Sequence, residues 1–277
     1  MIPHATIHLR TDSVAEKEKP DASTQWTLTH EDRVFADQVR SDPPPSTREI
    51  QKEHIDVVFQ PIVELDDGAM FAIEALVRCK LPEFKSPPAL FARAVEERAC
   101  GRLGRTIREV AFERCGGVAV FVNIHPDELV SRWLVRPDDP IGFHSHDVYL
   151  EVTETAVFEH YDLCVGVLKE ICSRAGAKIV VDDLGAGYSN LQRVLDLEPK
   201  IVKLDRAFIQ DIDQMPRKQV LVRHLVRLCE ELGAHVVAEG IETVEELRAV
   251  RDQGARFGQG YVLARPAYPI PAVHWPL

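Results

Sequence analysis

Eight short runs of apolar and β-branched residues recur along the chain, and they constrain its fold more than any other feature. Longer segments separate them, and most of these segments have the apolar spacing of amphipathic helices. The runs cover residues 57–63, 70–78, 118–124, 148–154, 178–184, 201–206, 235–241 and 257–263. Strands that are apolar along most of their length are typical of sheets buried on both faces. Eight such strands, separated mostly by helices, predict an α/β fold with a TIM-like barrel.

The connection between the first two strands departs from the ideal barrel. Asp66, Asp67 and Gly68 form a tight turn signal of the kind that joins antiparallel strands. The predicted fold is therefore a modified TIM-like (β/α)8 barrel with an antiparallel first strand.

Local capping signals support the predicted helices. Ser86 is suited to an N-cap and Pro87 to the first helical position. Thr243 and Glu246 have the spacing of a capping box. Between the sixth and seventh strands, four leucines share one face of a predicted helix: Leu221, Leu225, Leu228 and Leu232.

Residues 1–53 differ from the rest of the chain. They are polar, lack sustained periodicity and contain the proline-rich stretch 41–47. A segment of this composition buries too little apolar surface to offset the entropy lost on ordering. We therefore expect a disordered polar N-terminal arm at 1–53 and one large domain at 54–277.

Composition and charge argue against several classes of protein. No apolar run approaches the roughly 18 residues of a membrane helix, and the N-terminus lacks a secretion-signal pattern, so we expect a cytoplasmic protein without membrane association. The six cysteines form no CxxC pair, which agrees with reduced thiols. A net charge of −11 disfavours a nucleic-acid polymer as partner. It permits a small phosphorylated substrate that is bound through cations.

Polar residues interrupt the apolar runs near the carboxyl end of nearly every predicted strand, where barrel enzymes have their active sites. They are Glu74, Asn123, Glu151, Asp182, Asp183, Lys203, Glu239 and Gln259. Burying so many carboxylates without partners would be very costly. Shared hard cations such as Mg²⁺ or Mn²⁺ remove this cost, since they prefer oxygen ligands. The lack of a Cys/His cluster disfavours zinc.

The adjacent pair Asp182 and Asp183 is the most informative part of this set. Neighbouring residues in a strand point to opposite faces, so both can serve one site only where the backbone turns. Gly185 and Gly187 follow at once and favour such a turn. The pair could then hold two metal ions about 4 Å apart, an arrangement used for in-line phosphoryl displacement.

A series of motifs in fixed order runs through residues 55–268. They are Phe59-Gln60-Pro61-Ile62, Glu74-Ala75-Leu76-Val77-Arg78, Asn123, Glu151-Val152-Thr153-Glu154, the run 182–189 that begins Asp182-Asp183, Lys203-Leu204-Asp205-Arg206, the run 238–243 that contains Glu239 and Glu242, and Gly258-Gln259-Gly260-Tyr261. Together they resemble the EAL family of cyclic di-GMP phosphodiesterases, which is named after a motif like Glu74-Ala75-Leu76.

The resemblance implies a metal-dependent phosphodiesterase that hydrolyses cyclic di-GMP to linear pGpG with two divalent cations, Mg²⁺ or Mn²⁺. The implied metal ligands are Glu74, Asn123, Glu151, Asp182, Asp183 and Glu239. The implied catalytic residues, which orient or activate the attacking water, are Lys203 and Glu239. The implied substrate contacts are Gln60, Arg78 and Gln259.

The resemblance also implies how the site is supported and controlled. Glu154 and Glu242 would brace the loop at 185–189 that follows Asp183. In the family this loop links metal binding to dimer contacts, so a homodimer is expected. An upstream regulatory protein is a further expected partner.

Two other functions stay open at this point. The first is an EAL-type receptor that binds cyclic di-GMP, cleaves it weakly or not at all, and signals through a partner protein. Receptors of this kind usually lack one or more metal carboxylates, whereas the full set is present here. The second is an unrelated metal-dependent barrel phosphodiesterase, which would cleave glycerophosphodiesters instead.

Overall fold

The eight predicted strands pair side by side into a closed barrel, in the order in which they occur along the chain. Their bounds are β1 Ile55–Glu64, β2 Met70–Cys79, β3 Val120–Asn123, β4 Val148–Thr153, β5 Lys178–Leu184, β6 Ile201–Leu204, β7 His235–Ala238 and β8 Phe257–Gly258. Strand β1 runs antiparallel to both of its neighbours, and the other neighbouring strands are parallel. This confirms the modified barrel with an antiparallel first strand. The structure, a computed structural model, describes residues 45–131, 133–153, 161–184 and 195–277.

Helices connect most of the strands. Their bounds are α1 Pro87–Glu96, α2 Cys100–Arg114, α3 Pro126–Leu129, α4 Tyr161–Ala175, α5 Arg206–Ile209, α6 Pro216–Glu231 and α7 Val244–Asp252. Ser86 caps α1 and accepts a hydrogen bond from the backbone N–H of Ala89, as its position before Pro87 predicts. Thr243 and Glu246 form the predicted capping box of α7. Within the described ranges, no helix is long and apolar enough to cross a membrane.

The compact unit begins at Pro45, earlier than the domain boundary expected after residue 53. Ile50 is buried in the core, and Thr47 donates a hydrogen bond of 2.6 Å from Oγ1 to Glu97 Oε2. The last residues of the expected arm therefore pack with the barrel. Residues 1–44 lie outside the described residues, so the disorder expected there stays a prediction.

The β1–β2 connection forms the predicted tight turn. Gly68 adopts a φ of 75°, and Ala69 donates a backbone hydrogen bond to Asp67 Oδ1. A side chain at position 68 would also collide with Trp275, since a Cβ atom there would lie 2.3 Å from the indole ring. Glycine is therefore required twice over, by backbone conformation and by space.

The barrel interior holds a layer with one apolar or aromatic residue from each strand: Ile62, Ala72, Phe121, Tyr149, Val180, Ile201, Val237 and Phe257. Phe71 packs against this layer although it directly precedes Ala72. The β1–β2 register shifts at this point, because Ile62 faces Ala72 while Val63 faces Met70. Phe71 is the extra residue of a β-bulge, which explains how its ring turns toward the barrel interior.

The stripe of four leucines, Leu221, Leu225, Leu228 and Leu232, predicts helix α6 correctly but does not identify its buried face. Leu221, Leu228 and Leu232 are exposed, whereas Val222, Val226 and Cys229 are buried against the barrel. The residues that pack against the barrel are therefore smaller than the leucines that the stripe selects.

A buried ion cluster joins α2 to the segment after β3. Arg108, which is 1% exposed, donates from Nη1 to Glu128 Oε2 at 2.6 Å and from Nη2 to Asp139 Oδ2 at 2.8 Å. The carboxylates hold the pKa of Arg108 above its ordinary value despite the opposing effect of burial. Protein groups donate a hydrogen bond to every carboxylate oxygen of the cluster, which fixes the segment that follows Asn123.

Candidate active site

Alternation along the strands places a polar layer next to the apolar interior layer. Side chains two positions apart point to the same face of a strand. Each residue of the polar layer lies two positions from an interior residue, toward the end of the barrel where β2–β8 finish, here called the C-terminal mouth. The layer consists of Gln60, Glu74, Asn123, Glu151, Asp182, Lys203, Glu239 and Gln259. The structure thus brings these predicted site residues together from all eight strands.

Lys203 lies at the centre of this layer and is 1% exposed. Its Nζ atom lies 2.7 Å from Glu151 Oε1, 2.7 Å from Glu239 Oε1, 3.2 Å from Asp182 Oδ1 and 3.4 Å from Glu74 Oε2. Four carboxylates around one ammonium leave an excess of negative charge. Burial alone would lower the pKa of Lys203, but Asp182, Glu151 and the other carboxylates hold it well above its ordinary value.

Amide side chains hold two of these carboxylates in place. Asn123 Nδ2 lies 3.0 Å from Glu151 Oε2 and 3.3 Å from Glu74 Oε1, and it donates to both. Gln259 Nε2 donates to Glu74 Oε2 at 2.7 Å and to Gln60 Oε1 at 3.2 Å. Gln60 Nε2 in turn donates to the carbonyl oxygen of Ala264 at 3.0 Å. Gln60 and Gln259 were expected as substrate contacts; here the amide of Gln259 positions Glu74, and Gln60 holds Gln259 in turn.

The position of Gln259 depends on a close backbone approach at the next residue. A Cβ atom at position 260 would lie 2.1 Å from the carbonyl oxygen of Ile241. Only glycine permits this approach, which lets Ile241 donate its backbone N–H to the carbonyl oxygen of Gln259 at 3.2 Å.

Asp182 and Asp183 serve one site because the backbone turns within β5. Asp183 has a φ of 58°, and the β5–β6 register shifts between Val181 and Leu184. Aspartate tolerates this left-handed conformation better than most residues. The expected turn thus includes Asp183 itself, and Gly185 and Gly187 lie outside the described residues.

Burial and mutual repulsion disfavour ionisation of several carboxylates. Burial, with the charge of Glu74, raises the pKa of Glu151 well above its ordinary value. Burial also raises the pKa of Glu239 to about 8, and burial with Asp182 raises that of Asp183 to about 6. One lysine therefore does not neutralise the carboxylates of this mouth.

The donor set fits a divalent cation. Oxygen atoms of Asp182, Asp183 and Glu239 lie within 4.8 Å of one another. Among the described residues, Gln259 Oε1 is buried and accepts no hydrogen bond, and Glu151 Oε1 and Asp182 Oδ1 share the single ammonium of Lys203. Buried acceptors in excess of donors, most of them carboxylate oxygens, are the environment that Mg²⁺ and Mn²⁺ prefer.

A comparison with models of protein families shows to which family this barrel belongs. The family model described as the EAL domain matches residues 46–266. The chain belongs to the EAL-domain family. The predicted family membership is thereby confirmed.

Relatives of this EAL domain include characterised and structurally solved proteins. The cyclic di-GMP phosphodiesterase PdeR of Escherichia coli strain K12 is 29% identical over 239 residues, which cover 82% of this chain and 36% of PdeR. Klebsiella pneumoniae BlrP1, solved with manganese and cyclic di-GMP, is 31% identical with a TM-score of 0.65, covering 81% of this chain and 58% of that one. The calcium complex of BlrP1 with cyclic di-GMP gives 28% identity and a TM-score of 0.68, and the match covers 89% of this chain and 68% of that one. The EAL chain thus spans about a third of the length of PdeR.

Two cavities meet at Glu74 and Leu76 in the C-terminal mouth of this EAL domain. One, of about 710 Å³, is mainly apolar and is lined by residues of α1, including Phe91, and by His125. The other, of about 290 Å³, is lined mainly by polar and charged residues and reaches Glu239; it is called the polar cavity here. Between them they give the mouth room for an elongated ligand.

Arg78 lies on the wall of the apolar cavity, as its expected role in substrate binding requires. It is exposed and donates from Nη1 to its neighbour's carbonyl oxygen, Val77 O, at 2.8 Å. Within the described part of the chain it has no ion pair, so its guanidinium is free to meet a phosphate.

The residues expected to support the loop after Asp183 are only partly described. Glu242 pairs with Arg206 Nη2 at 3.0 Å on the rim of the polar cavity. Asp205, on the same rim, caps the short helix α5 through a 2.8 Å hydrogen bond from Ala207 N–H. Glu154 and the loop at 185–189 lie outside the described residues, so their expected roles stay predictions.

The structure corrects the expectation that no Cys/His cluster exists. Ligand atoms of Cys100, His125 and Asp127 lie within 4.8 Å of one another. However, His125 Nδ1 accepts a hydrogen bond of 3.2 Å from the backbone N–H of Asp127. The neutral ring then carries its proton on Nε2 and has no free lone pair for a metal. His125 acts instead as the N-cap of α3, and its ring stacks on Phe91.

Proposed function

We propose that this EAL domain is a hydrolase that converts cyclic di-GMP to linear pGpG with the help of two divalent cations, Mg²⁺ or Mn²⁺. The observation that carries the proposal is the set of carboxylates gathered around Lys203 at the C-terminal mouth. The names of PdeR and BlrP1 connect relatives of this chain with cyclic di-GMP.

Asp182, Asp183 and Glu239 would hold one cation, because their oxygens are already close enough to share it. Glu74, Asn123 and Glu151 would complete the cation ligands. Asn123 donates through its amide nitrogen to both glutamates, which leaves its carbonyl oxygen for a cation. Bound divalent cations supply two effects: they acidify water and stabilise charge that develops on phosphorus.

Lys203 keeps its proton throughout, since the surrounding carboxylates hold its pKa high. It can therefore orient the attacking water and stabilise negative charge, but it does not serve as the base. Glu239 Oε1, 2.7 Å from the ammonium, is the best-placed acceptor for a proton from that water. Attack forms one P–O bond and breaks another, so one ring diester becomes a phosphomonoester and a free hydroxyl.

The substrate would occupy the two cavities that meet at Glu74. A cyclic dinucleotide has two nucleobases on either side of a phosphate-containing ring, and the cavities likewise extend on either side of Glu74. Arg78 on one wall can pair with the phosphate that is not cleaved, by charge-assisted hydrogen bonds.

A cleavage assay tests the proposal. The full chain is incubated with cyclic di-GMP and Mg²⁺ or Mn²⁺ in turn, and the product is identified by mass. We expect pGpG with either ion and no product after metal removal. Tight binding without cleavage would instead establish the receptor function, and cleavage of glycerophosphodiesters alone would establish an unrelated phosphodiesterase.

The homodimer and the upstream regulatory protein stay predictions that belong with this function. Light scattering of the full chain at several concentrations measures the first. Comparison of turnover in the monomeric and dimeric fractions then shows whether association controls the site.

A further inference from the structure

The end of the barrel where β2–β8 begin, here called the N-terminal mouth, holds a third cavity of about 270 Å³. Lys178, Lys200, His235 and Arg256 line it, and each is the first residue of a parallel strand or the one before it. The lining contains no aspartate or glutamate. This cavity, the basic pocket, therefore concentrates positive charge in a chain whose net charge is −11.

Part of this charge is available to a ligand. Lys178 pairs with Asp147, and Arg256 Nη2 lies 3.9 Å from Glu64 Oε1, and both of these carboxylates lie outside the lining. Lys200 is exposed and has no ion pair within the described ranges. Its ammonium is thus the cation of the pocket with the least competition for an anion.

His235 adds a neutral donor. Arg256 donates from Nη1 to His235 Nε2 at 2.9 Å, so the proton of the neutral ring resides on Nδ1. Burial, together with the charge of Arg256, lowers the pKa of His235, although the charges of Glu230 and Glu64 oppose this. The ring therefore stays neutral near pH 7 and keeps one N–H group.

Aromatic rings form the inner wall of the basic pocket. Phe71, placed by the β-bulge, stacks on Phe257 with ring centroids 4.0 Å apart and meets Tyr149 edge-on at 5.6 Å. These rings separate the pocket from the barrel interior. A ligand that fills the pocket thus meets cations at its rim and apolar surface at its base.

We propose that the basic pocket binds a small phosphomonoester. Near pH 7 such a phosphate carries close to two negative charges and three strong acceptor oxygens, which match the ammonium, guanidinium and N–H groups of the rim. The organic part of the ester packs against the aromatic wall. A volume of about 270 Å³ is slightly below the range of about 300–1,000 Å³ found for drug-sized ligands, so the ester is small.

Calorimetric titration with phenyl phosphate tests the proposal. The full chain is first freed of metal on a chelating resin, so that phosphate cannot bind through cations at the C-terminal mouth. We expect saturable one-to-one binding, and weaker binding of inorganic phosphate, which lacks the ring. Absence of saturable binding, or equal affinities for the two probes, would overturn the assignment to an ester.

Variants locate the binding. Lys200→Glu should bind phenyl phosphate about tenfold more weakly or worse, since a hydrogen bond to a charged group is lost and repulsion is added. Lys85→Glu is the matched control, because Lys85 is an exposed lysine beyond the other end of β2, and it should bind as the natural chain does. Unchanged affinity in Lys200→Glu, or an equal loss in Lys85→Glu, would place the anion elsewhere and reject the basic pocket.

Discussion

The two mouths of the barrel carry opposite charge on the same eight strands. At the C-terminal mouth, carboxylates surround one ammonium. At the N-terminal mouth, cationic side chains surround aromatic rings. The interior layer of one apolar or aromatic residue per strand separates the two. One mouth is therefore suited to cations and the other to anions.

The difference also concerns how buried carboxylates are compensated. In the cluster of Arg108, each oxygen of Glu128 and Asp139 accepts a hydrogen bond from the guanidinium or from a backbone N–H group. At the C-terminal mouth, four carboxylates share one ammonium, and acceptor oxygens remain without a donor of their own. Acceptors that the protein leaves without donors mark a binding site, whereas a fully hydrogen-bonded cluster marks a structural contact.

The largest expected effect comes from removing one carboxylate of the C-terminal mouth. Asp182→Ala or Glu74→Ala should lower turnover of cyclic di-GMP more than about a hundredfold, because even changes to residues that only hydrogen-bond to metal ligands typically cost 10–100-fold. The secondary structure, measured by circular dichroism, should not change. Glu170→Ala, on an exposed face of α4, is the control and should keep full turnover. Near-normal turnover of either site variant in saturating Mg²⁺ would show that the site is elsewhere.

Loss of a buried cation should distinguish the hydrogen-bonded cluster of Arg108 from the carboxylates around Lys203. Arg108→Met should lower the free energy of unfolding by about 3–5 kcal/mol with or without Mg²⁺, since it leaves two buried carboxylates without their cation. Lys203→Met should destabilise the metal-free chain more than the Mg²⁺-loaded chain, because divalent cations replace the lost charge. Urea unfolding in both conditions measures this. The same Mg²⁺ dependence in both variants would contradict the distinction.

Truncation at the N-terminal mouth should affect stability and not chemistry. Phe71→Ala removes the bulged ring that packs on Phe257. We expect a loss of up to about 3 kcal/mol, the lower end for a phenylalanine truncation, since Phe71 is only partly buried. Turnover under conditions where the variant is folded should change less than about twofold, because single-residue effects far apart usually stay independent. A large drop in turnover would show that the mouths are coupled.

The smallest expected effect is that of Lys200→Ala. The side chain is exposed, so the stability should change by no more than about 0.5 kcal/mol. Turnover without added phosphate esters should match that of the natural chain. A change in turnover on addition of phenyl phosphate, seen in the natural chain but not in this variant, would reveal communication between the mouths.

The sequence predicts the C-terminal mouth better than the rest of the molecule. Apolar alternation locates the strands, and a polar residue in an apolar run, such as Glu151 or Lys203, then has to point into the barrel near its mouth. The turn at Asp183 is harder to predict, because it depends on a left-handed conformation that a non-glycine residue adopts within a strand.

Features built from distant segments are not visible in the sequence. Arg108 resembles any charged residue of an amphipathic helix until Glu128 and Asp139 fold onto it. Likewise, the basic pocket takes one residue from each of four strand beginnings, and no local pattern connects Lys178 with Arg256.

The junction between the first and last strands limits how rigid this barrel can be. Strands β1 and β8 pair through only two residue pairs, Val63 with Gly258 and Glu64 with Phe257. The C-terminal segment adds a second link, where Phe59 and Ala267 exchange two backbone hydrogen bonds of 2.8 and 3.0 Å. Short pairings with few hydrogen bonds open at low free-energy cost, so amide protons here should exchange with deuterium earlier than those of the central strands.

Gln60 and Gln259 reach each other across this same junction. Opening of this junction would separate Gln259 from Gln60 and Glu74 and leave Asn123 as the remaining amide donor to Glu74. The lifetime of the closed junction therefore limits how long the cation ligands stay aligned.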